Sequence, residues 1–117
     1  MPGTNLTIRI DLATGARIGP GKIALLEAIR STGSISGAAR EMGMSYKRAW
    51  DLVSDLNRLF TEPAVATSFG GPKGGGATLT PFGREVLAHY RHMSVSLDKA
   101  LADDLAWLDR HLAGEGR

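Results

Sequence analysis

The segment that most restricts the fold lies near the middle of the chain, Ser34-Ile35-Ser36-Gly37-Ala38-Ala39-Arg40-Glu41-Met42-Gly43-Met44-Ser45-Tyr46, followed directly by Lys47 and Arg48. Ser34 or Ser36 can cap a short helix, because a serine oxygen accepts from the exposed first-turn amides, and Gly43 can end it. Ala38 and Ala39 are small enough for two crossing helices to approach closely. Gly43 can take the left-handed backbone conformation of a sharp turn without steric cost. Ser45 then caps a longer helix with Ala49, Leu52, Val53, Leu56 and Leu59 at intervals of three and four. Its other face carries Lys47, Arg48, Asp51, Ser54, Asp55 and Arg58. Two helices meeting at a glycine bend, the second opening on polar and cationic residues, have the pattern of a helix-turn-helix reader of DNA.

The flanking segments fit around this unit. Leu6 to Leu12 alternates apolar and polar residues, as a strand with one buried face does, and Ala13 to Ala16 reads as a turn. Pro20 suits the first turn of a helix whose apolar face comprises Ile23, Leu25, Leu26, Ala28 and Ile29, with Gly33 at its end. Past Phe60, Ala64 to Phe69 and Ala77 to Leu79 suit two strands around the run Gly70-Gly71-Pro72-Lys73-Gly74-Gly75-Gly76, which predicts a hairpin with a glycine tip. Thr80 and Pro81 open a helix predicted to continue through Leu112, with Leu87, Tyr90, Met93, Leu97, Leu101, Leu105, Leu108 and Leu112 on one stripe.

A length of 117 residues with 43% hydrophobic content suits one domain with a modest core. No run approaches the roughly 18 apolar residues of a membrane span, and Met1 to Thr4 lacks a secretory signal, so a cytosolic location is expected and no membrane partner. With zero cysteines, disulfides, thiolate metal sites and cysteine nucleophiles are excluded. The net charge of +2 is small but unevenly spread. Residues 1–92 hold eleven Lys or Arg against seven Asp or Glu, whereas residues 93–117 hold three against five. The positive field therefore belongs to the helix-turn-helix half.

Tyr46, Lys47 and Arg48 are expected in the major groove or at its phosphate rim, with Ser34, Ser36, Ser45 and Ser54 as hydroxyl partners along the same surface. Arg48 is the best guanine reader, because its fork can pair with one base edge bidentately. Asp51 is expected to fix Lys47 or Arg48 one turn away. Trp50 can stack on a sugar or fill the space between helices, and packing is the expected role. In the hairpin, Lys73, Gly74 and Gly75 suit backbone approach to phosphate. A nucleotide-binding loop fits poorly, since Lys73 precedes Gly74 where a magnesium-binding Ser or Thr is needed. His89 and His92 are three apart on a helix, a spacing that can share a metal, but no third ligand is evident and a solvated pair is expected. No nucleophile or carboxylate dyad accompanies them, so no enzyme activity, metal or cofactor is expected.

The blocks Gly33-Ser34-Ile35-Ser36 with Ala38-Ala39, Ser45-Tyr46-Lys47 with Ala49-Trp50-Asp51, and the glycine hairpin leading into Leu79-Thr80 and Gly83 occur in an order with a known counterpart. From Ile18 to Arg91 the sequence resembles the N-terminal domain of the molybdate-responsive ModE regulators, and more distantly that of LysR-type regulators. The resemblance extends to the segment at residues 6–12. It implies a mainly α winged helix-turn-helix with a small β wing, an N-terminal strand and a long C-terminal dimerisation helix. Pro72 departs from the family wing by stiffening its tip. ModE proteins also carry an oxyanion-binding region after this domain, for which these 117 residues have no counterpart, so no molybdate site is expected within them.

The expectations are then a DNA-binding unit at residues 1–80 and a C-terminal helix at 81–117 that pairs with a second copy through Leu97, Leu101, Leu105, Leu108 and Leu112. Such a homodimer would read an inverted repeat in double-stranded DNA as a sequence-specific regulator. A protein-binding adaptor and a non-specific architectural DNA binder are the alternatives.

Overall fold

The computed structural model describes residues 3–68 and 75–113. A short hairpin opens the chain, β1 (Ile10–Asp11) against β2 (Arg17–Ile18), followed by α1 (Pro20–Thr32), α2 (Ile35–Met42) and α3 (Tyr46–Leu59). A second hairpin, β3 (Val65–Thr67) with β4 (Ala77–Leu79), precedes α4 (Pro81–Ala100) and α5 (Ala102–Arg110). Both two-stranded sheets are antiparallel, the second in the register Val65↔Leu79, Ala66↔Thr78 and Thr67↔Ala77. The architecture is a mainly α winged helix-turn-helix.

The core is built by α1. Leu25, Leu26 and Ile29 are fully buried and pack with Ala38 of α2, Val53 and Leu56 of α3 and Leu87 of α4. Each large side chain so buried contributes about 1.5–3 kcal/mol of transfer free energy. Three helices that pack on α1 are capped by their own N-terminal hydroxyls: Ser34 Oγ accepts from Gly37 N–H at 2.8 Å, Ser45 Oγ from Arg48 N–H at 3.0 Å, and Thr80 Oγ1 from Gly83 N–H at 2.9 Å. Of the two serines proposed to cap α2, Ser34 does so and Ser36 stays exposed in its first turn.

Three elements differ from their predicted lengths, the first being the wing strand expected from Ala64 to Phe69, of which only Val65–Thr67 forms the ladder while Phe69 lies outside the described residues. The ladder at residues 6–12 is confined to Ile10–Asp11, although burial alternates over the whole stretch, with Leu6, Ile8, Ile10 and Leu12 half-buried and Thr7, Arg9 and Asp11 exposed. The partner strand is the limit, because α1 starts at Pro20 and leaves only Arg17–Ile18 for pairing. Ile8 is held instead through its carbonyl, which accepts from the Tyr90 hydroxyl at 2.6 Å. The predicted continuous helix to Leu112 is interrupted at Leu101, where φ −109° and ψ 13° leave the helical region. Charge placement suits a stop and a restart there: Lys99 lies in the last turn of α4, and Asp103 with Asp104 in the first turn of α5. The extended N-terminal segment reaches this far, since the Thr4 N–H and hydroxyl both donate to the Asp109 carboxylate.

Candidate nucleic-acid interface

The bend between α2 and α3 follows from local chemistry. Gly43 is left-handed, φ 67° and ψ 34°, and its N–H donates to Arg40 O at 3.3 Å while Met44 N–H donates to Ala39 O at 3.0 Å. These are the paired bonds of a Schellman motif, which satisfy the last carbonyls of α2 and turn the chain sharply. Ala38, Ala39 and Ala49 are buried where α2 and α3 meet the core, so the start of α3 has a fixed orientation.

Around α3, Ala49, Val53 and Leu56 face inward. Tyr46, Lys47 and Arg48 in the first turn are exposed, the Lys47 side chain to 82%. Lys47 Nζ donates to Asp51 Oδ2 at 3.0 Å, one turn along, which realises the expected pairing of Asp51. An exposed ion pair of this kind contributes under ~1 kcal/mol, so Lys47 can exchange Asp51 for a phosphate at small cost. Arg48 has no ion pair among the described residues. Ser54 is half-buried two turns on, in the same stripe as Lys47, Asp51 and Arg58.

Trp50 departs from its expected packing role. It is 40% exposed, and Tyr46, one turn earlier on the same flank, is 56% exposed. Trp50 is also absent from the side chains packed against the buried core. Two aromatic faces therefore border the cationic start of the helix.

The wing is anchored by Asn57, which the sequence reading did not single out. Its Oδ1 accepts from Ala64 N–H at 2.8 Å and Val65 N–H at 2.9 Å, and its Nδ2 donates to Val65 O at 2.9 Å. One side chain of α3 thus fixes the base of β3. On the other strand, Ala77 N–H donates to Gly33 O at 2.9 Å, joining the wing to the end of α1. Gly75 is exposed just before β4, while Lys73 and Gly74 lie outside the described residues.

Of the C-terminal stripe, Leu87 and Tyr90 belong to the core, whereas Met93, Leu97, Leu108 and Leu112 are exposed and Leu101 and Leu105 half-buried. His89 and His92 are both exposed, and no group of three metal-ligating side chains occurs among the described residues. No helix of the described residues is long and apolar enough to cross a membrane.

Comparison with known proteins matches this arrangement to one group. The chain is 51% identical over 89 residues to the molybdenum-pterin-binding protein MopB of Rhodobacter capsulatus, covering 76% of this chain and 33% of that protein. It is 41% identical over 103 residues to the molybdenum transport protein ModE of Azotobacter vinelandii, covering 86% and 38%. With the DNA-binding transcriptional dual regulator ModE of Escherichia coli K12 it shares 40% identity over 88 residues, covering 73% and 34%. These residues form a ModE-family winged helix-turn-helix domain. No family model matches the chain. The ModE-type domain spans between 33% and 38% of the length of these curated relatives. None of the three is named as an enzyme; one name describes a DNA-binding regulator and two refer to molybdenum.

Proposed function

We propose that this ModE-type domain is the operator-reading part of a dimeric transcription regulator. The observation that carries the reading is the exposed first turn of α3, where Tyr46, Lys47 and Arg48 stand outward from a helix whose opposite side is locked in the core. In this reading α3 enters the major groove, Arg48 pairs with a guanine edge, and Lys47 with Ser36, Ser45 and Ser54 hold the phosphate rim. Lys73, Gly74 and Gly75 bring the wing to the neighbouring backbone. The name of the Escherichia coli relative supports duplex DNA as the partner.

The homodimer rests on the apolar face of α4 and α5. Leu97, Leu101, Leu105, Leu108 and Leu112 would pack against the same residues of a second copy, and a two-fold axis would set two reading helices on an inverted repeat, about 34 Å apart per duplex turn. No molybdate site is assigned to these residues.

Selection of bound sequences from random duplex, followed by titration of the selected site, tests the reading. A two-fold symmetric consensus is expected, with Lys47→Ala combined with Arg48→Ala weakening binding at least 100-fold. Unchanged binding by that double variant would sink the proposal. Equal affinity for selected and random duplex would support the architectural reading instead.

A further inference from the structure

A second cationic cluster lies beyond the residues assigned above. The β1–β2 turn, closed by Leu12 N–H donating to Ala16 O at 2.7 Å and by Gly15 N–H donating to Leu12 O at 2.9 Å, stands beside the last turns of α3. Between them is an open cavity of about 350 Å³ bordered by Gly15, Arg17, Lys22, Asp55, Arg58 and Leu59. Three cations and one carboxylate thus face one hollow.

The hydrogen bonds set which charges are available. Asp55 accepts from Arg58 at 2.8 Å, and Asp11, the residue opposite Arg17 in the ladder, pairs with Arg9 at 3.3 Å. Arg17 is therefore in no ion pair among the described residues, although its nearest cross-strand neighbour is acidic. Lys22 Nζ is drawn toward the same place by donating to Arg17 O at 2.7 Å, and that bond leaves the ammonium two further donors. The cluster holds a formal excess of two positive charges around a space large enough for a tetrahedral oxyanion.

Its place relative to α3 gives it a use. Lys47, Asp51, Ser54 and Arg58 recur at intervals of four, three and four, so they form one outward stripe. Lys47 and Arg58 are separated by about 16 Å along the axis, at 1.5 Å per residue. That length exceeds the roughly 12 Å width of the major groove. A helix entering the groove at Lys47 would bring Arg58, and with it Arg17 and Lys22, to the far phosphate wall.

We infer that Arg17, Lys22 and Arg58 form a second backbone clamp, which grips a phosphodiester of the same duplex on the side of the groove opposite the Lys47 rim. The inference rests on the proposed DNA reading and extends it to a surface formed by the N-terminal hairpin. The clamp is sequence-blind, because it addresses phosphate oxygens only. Its contribution is affinity, register and the angle at which α3 lies.

Salt titration of duplex binding separates the two readings. The test compares the wild-type chain with Arg17→Gln plus Lys22→Gln, and with Arg17→Gln alone as an exposed single change that leaves α1 untouched. The double variant should bind the selected duplex about tenfold more weakly, with the slope of log affinity against log salt reduced by about 1–2 and the same consensus retained. Arg17→Gln alone should reduce the slope by about 1. Unchanged affinity and slope in Arg17→Gln, with the wild type binding normally, overturns the clamp and leaves the operator reading intact. A wild type that binds no duplex overturns both. Calorimetry with inorganic phosphate provides the remaining comparison: millimolar phosphate binding abolished by the double variant, without change in duplex affinity, assigns the hollow to a free oxyanion and overturns the duplex assignment.

Discussion

Gly83 sits where α4 begins, and a methyl group at that position would lie 2.1 Å from Ala64 O. The close approach is fixed on both sides. Thr80 N–H donates to Ala64 O at 3.0 Å, and the Thr80 hydroxyl donates to Pro63 O at 2.7 Å. Gly83→Ala must therefore push the first turn of α4 from the base of the wing, and a loss of about 3 kcal/mol is expected. Urea denaturation checks this, with a lower midpoint and little change in slope. In the sequence Gly83 is visible only as part of a family block, since a glycine inside a helix does not state which backbone it touches. Asn57 was equally silent. Its spacing places it on the edge of the apolar face of α3, and only the bends between the end of α3 and β3 bring the Ala64 and Val65 amides within its reach. The size of Trp50 argues for burial, yet the side chain is 40% exposed.

Helices α1, α2 and α3 were legible because their limits are written in side-chain chemistry: Pro20 and Gly33, Ser34 and Gly43, then Ser45. The break at Leu101 was not, since neither proline nor glycine marks it and the leucine spacing continues across it. The N-terminal strand was legible as alternation but not as pairing, because a ladder depends on the length of its partner. At the scale of one element, α3 is the sensitive part, as its cap also positions its exposed first turn. Ser45→Ala removes the acceptor for Arg48 N–H and should cost about 1 kcal/mol. Amide hydrogen exchange should show the loss concentrated in residues 46–49. Protection at the start of α3 equal to wild type would count against the cap as the feature that holds the exposed first turn in place.

Across the whole molecule, the two halves have opposite characters. Residues 1–92 carry the excess of Lys and Arg, and residues 93–117 carry the acidic excess together with exposed Val95, Trp107, Leu108 and Leu112. The described residues extend 56 Å along their long axis against 22 Å along the shortest, so most of the second half of α4 and all of α5 lie away from the core. Leu108→Glu combined with Leu112→Glu should convert a dimer to a monomer in sedimentation equilibrium while the helical circular dichroism stays within about a tenth of wild type. The same variant should bind a half-site as the wild-type monomer does and lose the gain from the full inverted repeat. A wild-type chain that sediments as a monomer at every concentration would favour the adaptor reading.

The chain has two tryptophans, and they stand on different exposed surfaces: Trp50 beside the cationic start of α3, and Trp107 on α5 stacked against His111 at a ring separation of 4.3 Å. Intrinsic fluorescence can therefore follow each face without any added dye. If the proposed duplex binding and self-association occur, the single indole left in Trp107→Phe should report the first and the one left in Trp50→Phe the second, so the order of the two events becomes a measurable quantity.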